Sequence, residues 1–445
     1  MIFSNYNQLI SNGSTEAYQK KRKDILTLLS TALETVNPYQ TVIRHIQDQQ
    51  IISENKTIKI QDYSNIYLIG FGKASVKMAN AICDSLPIIS GAVITNDQIS
   101  TVSHPNITTY HGDHPIPSEK NLEATKSLEK IISQCTQDDL LLVCISGGGS
   151  ALLTHPLVPI QDLQITTKML LSSGATIHEI NTIRKHLSKV KGGQLLRNVN
   201  CKTVSLIISD VVGDPLEFIA SGPTCGDSTT FADAYQILKN YQLLSSVPSS
   251  VKIIIENGKS GLIPETPKPE DPLFKQVNNF IIANNTLACT SIREKAKSLG
   301  YHPLILTSEL TGESREIGPE LLQTIKDQQK HNEYTLFIAG GETTVTVNGS
   351  GKGGRNQEMV LSMIKPIADT DFVCCSFATD GIDGMSTAAG AICDGKSYTR
   401  AQDLSLAIEK YLSDNDSNSF FHAMNDLIIT GLTGTNVMDV QIIIP

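Results

Sequence analysis

An apolar, β-branched run at residues 204–208 ends in Ser209-Asp210-Val211-Val212-Gly213-Asp214, and no other stretch constrains this chain as much. Such a run reads as a strand buried on both faces of a parallel sheet. A carboxylate at the tip of that strand is costly to bury without a partner, so Asp210 is expected to have work to do there. In open α/β sheets, ligands sit beyond the carboxyl ends of the strands. An acid in that place also holds Mg2+ in many phosphoryl-transfer enzymes. The competing reading is an acid that caps a helix or closes a turn before Pro215, ahead of Ser221-Gly222-Pro223-Thr224.

The same arrangement recurs. Residues 66–69 lead into Gly70-Phe71-Gly72-Lys73-Ala74-Ser75, and residues 140–145 lead into Ser146-Gly147-Gly148-Gly149-Ser150. Residues 336–339 end in Gly340-Gly341-Glu342, with a glycine-rich loop around Lys352, Gly353 and Arg355 one short strand later. Residues 372–377 end in Thr379-Asp380-Gly381-Ile382-Asp383-Gly384. Glycine beside Lys, Arg, Asp, Glu or Ser at each strand end exceeds what turns alone require, and the pattern is that of an enzyme.

Helices and strands alternate from residue 65 onward, with strands near 65–70, 91–95, 140–145 and 203–208 and helices near 73–84, 118–134, 161–173 and 176–196. That order predicts an α/β fold whose first domain is a three-layer, mostly parallel, Rossmann-like sheet. Residues 244–275 hold Pro248, Pro264, Pro267, Pro269 and Pro272, the mark of a connecting segment. A second, smaller mixed α/β unit is expected beyond it, with strands near 278–283, 303–306, 335–339, 343–347, 371–377, 427–429 and 439–444. The predicted partition is therefore 1–250, a connection at 251–275, and 276–445, which suits a chain of 445 residues.

Composition limits the partners. The net charge of -9 argues against a nucleic-acid or anionic-membrane surface, though a local basic site for a small anion is compatible with it. No apolar run approaches the roughly 20 residues of a membrane span, and residues 1–20 lack the pattern of a secretory signal. The nine cysteines show no CxxC spacing and sit mostly in apolar segments, as expected of reduced thiols in the cytoplasm. His104, His111 and His114 are the closest histidine group, and the prolines among them favour a loop over a metal site. The basic cluster at residues 20–23 is expected to face solvent.

Gly70-Phe71-Gly72-Lys73-Ala74-Ser75 departs from a dinucleotide fingerprint, because Ser75 stands at its third glycine and the acid it needs would have to be Asp97. A glycine turn opening a helix binds phosphate equally well, and Lys73 adds a cation. Gly147, Gly148 and Gly149 let the backbone fold into a nest of amides suited to a phosphate. The loop with Lys352 is not a P-loop, since Gly353 follows the lysine; with Arg355 it reads as a flexible cationic arm for a polyanion. The basic stretch from Asn181 to Gly193, holding Arg184 and Lys191, reads by itself as ordinary cations at a helix C-terminus. Acids for Mg2+, nests for phosphate, and Lys and Arg for developing charge are together what phosphoryl transfer needs.

Several blocks resemble the glycerate 2-kinases that carry a MOFRL C-terminal domain: Gly-Phe-Gly-Lys-Ala-Ser from Gly70, Ser-Gly-Gly-Gly-Ser-Ala-Leu-Leu from Ser146, Glu-Ile-Asn-Thr-Ile-Arg-Lys-His-Leu-Ser from Glu179, and Ser-Asp-Val-Val-Gly-Asp from Ser209. Gly-Gly-Glu-Thr-Thr-Val-Thr-Val from Gly340, Gly-Lys-Gly-Gly-Arg-Asn-Gln-Glu from Gly351, Thr-Asp-Gly-Ile-Asp-Gly from Thr379 and Thr-Gly-Thr-Asn-Val-Met-Asp from Thr433 extend the likeness across residues 30–445. The resemblance implies transfer of the γ-phosphate of ATP to D-glycerate with Mg2+, in a cleft between two α/β domains. It implies Lys73, Asp210, Arg355 and Asp380 as catalytic residues, and Gly72, Ser146, Gly147, Gly148, Gly149, Ser150, Lys352 and Gly353 at the nucleotide. Asn181, Arg184, Lys191 and Glu342 would meet the substrate, and Asp210 and Asp214 the metal. A homodimer is compatible with it. Two departures stand out: Met385-Ser386-Thr387 replaces an acid-containing stretch, and Ser118 stands where the pattern has Asp. A nicotinamide-dependent hydroxypyruvate reductase and a sugar-acid sensor without catalysis are the alternatives.

Overall fold

The helix Glu16–Thr35 decides how the chain divides. Thr15 caps the helix Glu16–Thr35 by accepting the Tyr18 amide at 3.3 Å, and Ile25, Leu26, Leu29 and Ala32 lie on its buried face. Arg22 on this helix is fully buried, paired with Asp394 at 2.6 Å and Asp426 at 2.7 Å. Of the cluster expected to face solvent at 20–23, Lys20 and Lys23 are exposed, whereas Lys21 is half-buried and Arg22 buried, which corrects the expectation for those two. Arg22 is a core residue because two carboxylates offset its desolvation, and Lys21 donates to the carbonyls of Asp371 and Pro445.

The computed structural model describes residues 2–53, 56–330 and 332–445. It separates into Pro38–Ile282 and a second unit made of Met1–Asn37 with Ala283–Pro445. The expected partition is corrected at both ends. The helix Glu16–Thr35 is tied by Arg22 to the C-terminal part of the chain, and residues 251–259 belong to a packed helix. The helix Ser249–Lys259 packs on the helix Phe231–Asn240, with Gly258 closing against the Phe231 ring where a side chain would collide.

In the Pro38–Ile282 unit six strands lie in the order Ile107–His111, Ile88–Thr95, Ile66–Phe71, Leu140–Ile145, Lys202–Ile208 and Val277–Ala283. The first five pair in parallel. Phe71 is opposite Ile145, and Ile145 opposite Ile207, so three neighbouring strands end level and their following loops emerge side by side. The helices Ser75–Ser85 and Glu119–Ile132 pack on this sheet, with Leu68, Ile69, Leu142 and Val143 fully buried. The long helix expected at 176–196 stops at His186. The Ser188 hydroxyl accepts the amides of Val190 and Lys191, turning the chain and carrying Lys191 inward.

The second unit holds six strands in the order Pro303–Leu310, Leu336–Gly341, Asp439–Ile444, Val373–Ala378, Gly390–Asp394 and Leu427–Ile428. The first two are parallel and the others antiparallel, the mixed sheet that was expected. The strand expected at 343–347 is absent; Thr344 makes one isolated bridge with Glu313. The amides that follow are taken by side chains instead of a neighbouring strand: Asn348 and Gly349 donate to Asn415 Oδ1, Ser350 to Asp414, and Lys352 to Asp416.

Candidate active site

The three level strand tips of the Pro38–Ile282 unit carry most of the expected residues. Gly72 (φ +122°) approaches Ser146 so closely that a Cβ would meet its hydroxyl and carbonyl. The Ser146 Oγ accepts the Ala74 amide at 3.0 Å, and the Lys73 amide donates to Gly147 O at 2.9 Å. These bonds fix the Gly70 turn on the triple-glycine loop. Lys73 precedes the helix Ser75–Ser85 and its side chain is exposed. Asp210 follows the third strand, and its carboxylate lies against Gly147, filling the place of a Cβ.

Two cations converge on the same loop from behind. Arg184 Nη2 donates to Ser150 O at 2.9 Å, and Lys191 Nζ donates to Ser150 O at 2.6 Å and Leu153 O at 2.7 Å. Lys191 is fully buried, and its burial followed by the charge of Arg184 drives its pKa well below the lysine range. Burial likewise lowers Arg184 to about 10. Among the described residues neither makes an ion pair, whereas their neighbour Lys185 is paired with Asp227 at 2.5 Å. A buried and a half-buried cation without carboxylates leave positive potential at the loop. Asn181 joins through a polar chain: Ser221 Oγ donates to Asn181 Oδ1 at 3.1 Å and lies 2.7 Å from Ser150 Oγ.

Ala220 (φ 52°) and Ser221 (φ 64°) both adopt left-handed backbone, as does Gly222. Such residues cost on the order of 1–3 kcal/mol each and persist only when their surroundings hold them. Here the amides of Gly192 and Gly193 donate to the carbonyls of Ser221 and Gly222. His114 lies over the loop's other side, its Nε2 3.3 Å from where a Gly148 Cβ would stand, beside the Lys73 side chain. Burial, then the charges of Lys73 and Arg184, hold the imidazole below the ordinary histidine range.

The remaining expected residues lie in the second unit. Arg355 opens the helix Arg355–Met363 and is held in a fork by Asp439, Nε to Oδ2 at 2.5 Å and Nη2 to Oδ1 at 3.0 Å, with Glu342 at 2.7 Å on Nη1. Asp380 accepts the Ile382 amide at 3.1 Å, and its charge raises the pKa of Asp439, behind burial as the main cause. Asp383 caps the helix, accepting the amides of Asn356 and Gln357; burial raises it to about 6. The expected flexible arm is a correction: side chains at 414–416 pin the loop, Gly353 packs on Ser417, and Lys352 is exposed. Asp214 sits four residues beyond Asp210, in a turn with φ 55°.

Residues 24–256 match a domain of unknown function, DUF4147, and residues 335–439 match the MOFRL family. The chain is 40% identical to a glycerate 2-kinase of Pyrococcus horikoshii over 428 residues, covering 94% of this chain and 96% of that one. A D-glycerate 2-kinase of Thermotoga maritima is 36% identical, over 87% of this chain and 92% of its own. The chain belongs to the glycerate 2-kinase family.

Solved relatives agree in fold. A glycerate kinase from Thermotoga maritima superimposes with a TM-score of 0.85 at 34% identity, over 96% of this chain and 99% of that one. A Pyrococcus horikoshii protein does so at 0.84 and 40% identity, over 95% and 98%. Within this kinase family the sequence reading overlooked His114, Ser221 and Asp439. The block from Thr433 ends on Asp439, an acid opening an apolar run, and that was the available signal. Nothing in the sequence aimed His114 at the glycines. Asp97, the acid the reductase alternative would need, is exposed and accepts the Ser100 hydroxyl at 2.5 Å and the Ile99 amide at 3.2 Å. Among the described residues no helix is long and apolar enough to cross a membrane.

Proposed function

We propose that this protein phosphorylates D-glycerate to 2-phosphoglycerate with Mg·ATP, in the cytoplasm. The observation that carries the reading is the convergence of Arg184 and Lys191, without carboxylate partners, on a triple-glycine loop beside Asp210. Glycerate and a phosphoryl group are both small anions that such a loop would attract. Magnesium fits the donor set: it keeps several waters and takes one or two carboxylates with substrate oxygens. Asp210 would supply that carboxylate, and among the described residues no cluster of three acids or histidines forms a full cage. Bound Mg·ATP would supply the phosphoryl group and neutralise part of its charge.

The chain's own groups do the rest. Lys73 would meet the anion at the mouth, and Arg184 and Lys191 would keep the loop electropositive by holding Ser150. The uncharged His114 ring would orient the 2-hydroxyl. Arg355 and Asp380 are proposed to act from the second unit, so that catalysis draws on both. Nine free cysteines, seven of them buried, support a reducing compartment. The test is purified protein with D-glycerate, ATP and Mg2+, followed for 2-phosphoglycerate and ADP. Steady NADH oxidation with hydroxypyruvate and no phosphoryl transfer would overturn it.

A further inference from the structure

The turn that carries Lys191 inward also walls a cavity of about 370 Å3 within the Pro38–Ile282 unit. That size falls in the roughly 300–1,000 Å3 range of small-ligand sites. Ile132 and Leu195 give it a buried apolar floor, and Lys189, Gln194 and Arg197 line it from the turn. Lys189 and Arg197 are exposed, and among the described residues neither forms an ion pair. Arg197 Nη2 donates to the Glu265 carbonyl, which anchors the guanidinium and leaves the other donors of its fork for a ligand. Gln194 Nε2 donates to the carbonyls of Lys185 at 3.1 Å and Ser188 at 2.5 Å, so this wall is fixed to the turn. Glu129, the acid of the lining, has its Oε2 engaged by His155 Nδ1 at 2.7 Å. Cations therefore outnumber acids in a concavity, which concentrates anions there.

A planar fork and a point charge on one wall suit a small anion of more than one charge, such as a phosphate group or a pair of carboxylates. The wall is also continuous with the triple-glycine loop. The Lys189 amide donates to His155 O at 2.8 Å, and two residues further on Lys191 holds the carbonyls of Ser150 and Leu153. Gly192 (φ 56°) and Gly193 (φ 77°) then turn through left-handed backbone, and their amides reach Ser221 O at 2.9 Å and Gly222 O at 2.7 Å. A ligand that joins Lys189 to Arg197 binds best when this turn is held as it is here, and by linkage it favours the arrangement with Lys191 on Ser150. We propose that the cavity is a regulatory site for a small, doubly charged anion, and that its occupancy braces residues 188–197 and raises the affinity for D-glycerate. The effect on D-glycerate rests on the kinase reading above; the anion site does not.

The test titrates the full chain by calorimetry with inorganic phosphate and, separately, with malate. The tighter-binding probe should lose about tenfold or more in affinity in the double variant Lys189→Ala with Arg197→Ala, and Arg197→Lys should keep part of it, having the charge without the fork. Tighter phosphate assigns the site to a phosphate group, and tighter malate to paired carboxylates. In turnover assays the saturating probe should lower the KM for D-glycerate about fivefold in the parent and leave it unmoved in the double variant. Both substituted side chains are exposed, so the double variant should match the parent in melting temperature and in KM without probe. Binding of neither probe, or unchanged binding in the double variant, overturns the site, and a KM that does not fall overturns the coupling. A parent that binds the probe through Lys189 and Arg197 yet fails to phosphorylate D-glycerate overturns the kinase reading and leaves the anion site standing.

Discussion

Lys191 and Ser150 form a hydrogen bond of 2.6 Å in which a buried ammonium has carbonyl oxygens as partners and no carboxylate. Its pKa is depressed in the folded state, so between that value and 10.5 the unfolded chain binds more protons and stability rises with pH. Lys191→Met should therefore melt no lower than the parent and flatten that rise. It should also lose the stabilisation conferred by D-glycerate, which at a hundredfold excess over Kd is about 2.7 kcal/mol. Melting temperatures across pH 7–10, with and without D-glycerate, check both parts. A variant that melts lower than the parent yet still gains stability from D-glycerate would assign Lys191 to the core alone.

The contact of Asp210 with Gly147 makes a paired prediction. Asp210→Asn should keep the fold and lower kcat by on the order of 10² to 10⁴, as loss of an electrostatic or proton-accepting group does. Gly147→Ala should mimic it, because the new Cβ occupies the space of the carboxylate. The opposite pattern, a lower melting temperature with normal specific activity, would make Asp210 a turn residue.

How much of this was legible follows from where the partners lie. The strand tips could be read because apolar runs and their glycines are local signals, and Gly72, Ser146 and Asp210 fell into place with the sheet. Lys191 could not, since a basic run after a helix looks the same whether it faces water or is turned inward by Ser188. Residues 343–347 alternate as a strand should, but the loop after them is bonded to side chains 64 to 67 residues away. Arg22 reads as surface until Asp394 and Asp426 are brought to it from the far end of the chain.

His114 supplies a pH prediction. Its folded pKa is lowered below 6.5, so the ring is uncharged at neutral pH, and stability falls as pH drops below 6.5 because the unfolded chain binds the proton more readily. Besides burial, the groups that set this are Lys73 and Arg184; Lys73→Met should raise the imidazole pKa, read by NMR titration of the ring. His114→Gln should remove the acidic limb of kcat/KM attributable to this ring. An unmoved titration in Lys73→Met would separate His114 from the anion site.

Arg355 has a structural role in its fork and a proposed role in catalysis, and the two are separable. Its fork holds Asp439, which is 1% exposed and already has a raised pKa from burial. Removing one partner of such a pair costs roughly 3–5 kcal/mol, because the other charge is left buried and unpaired. Arg355→Ala should accordingly lower the melting temperature, and Arg355→Lys should restore it only in part, since lysine lacks the planar fork. Replacing Asp439 as well, in Arg355→Ala with Asp439→Asn, removes the stranded charge and should recover most of the stability. Activity then decides the role of the guanidinium: a stable double variant that still turns over D-glycerate at the parental rate confines Arg355 to the fold, whereas a stable, inactive one places it in catalysis.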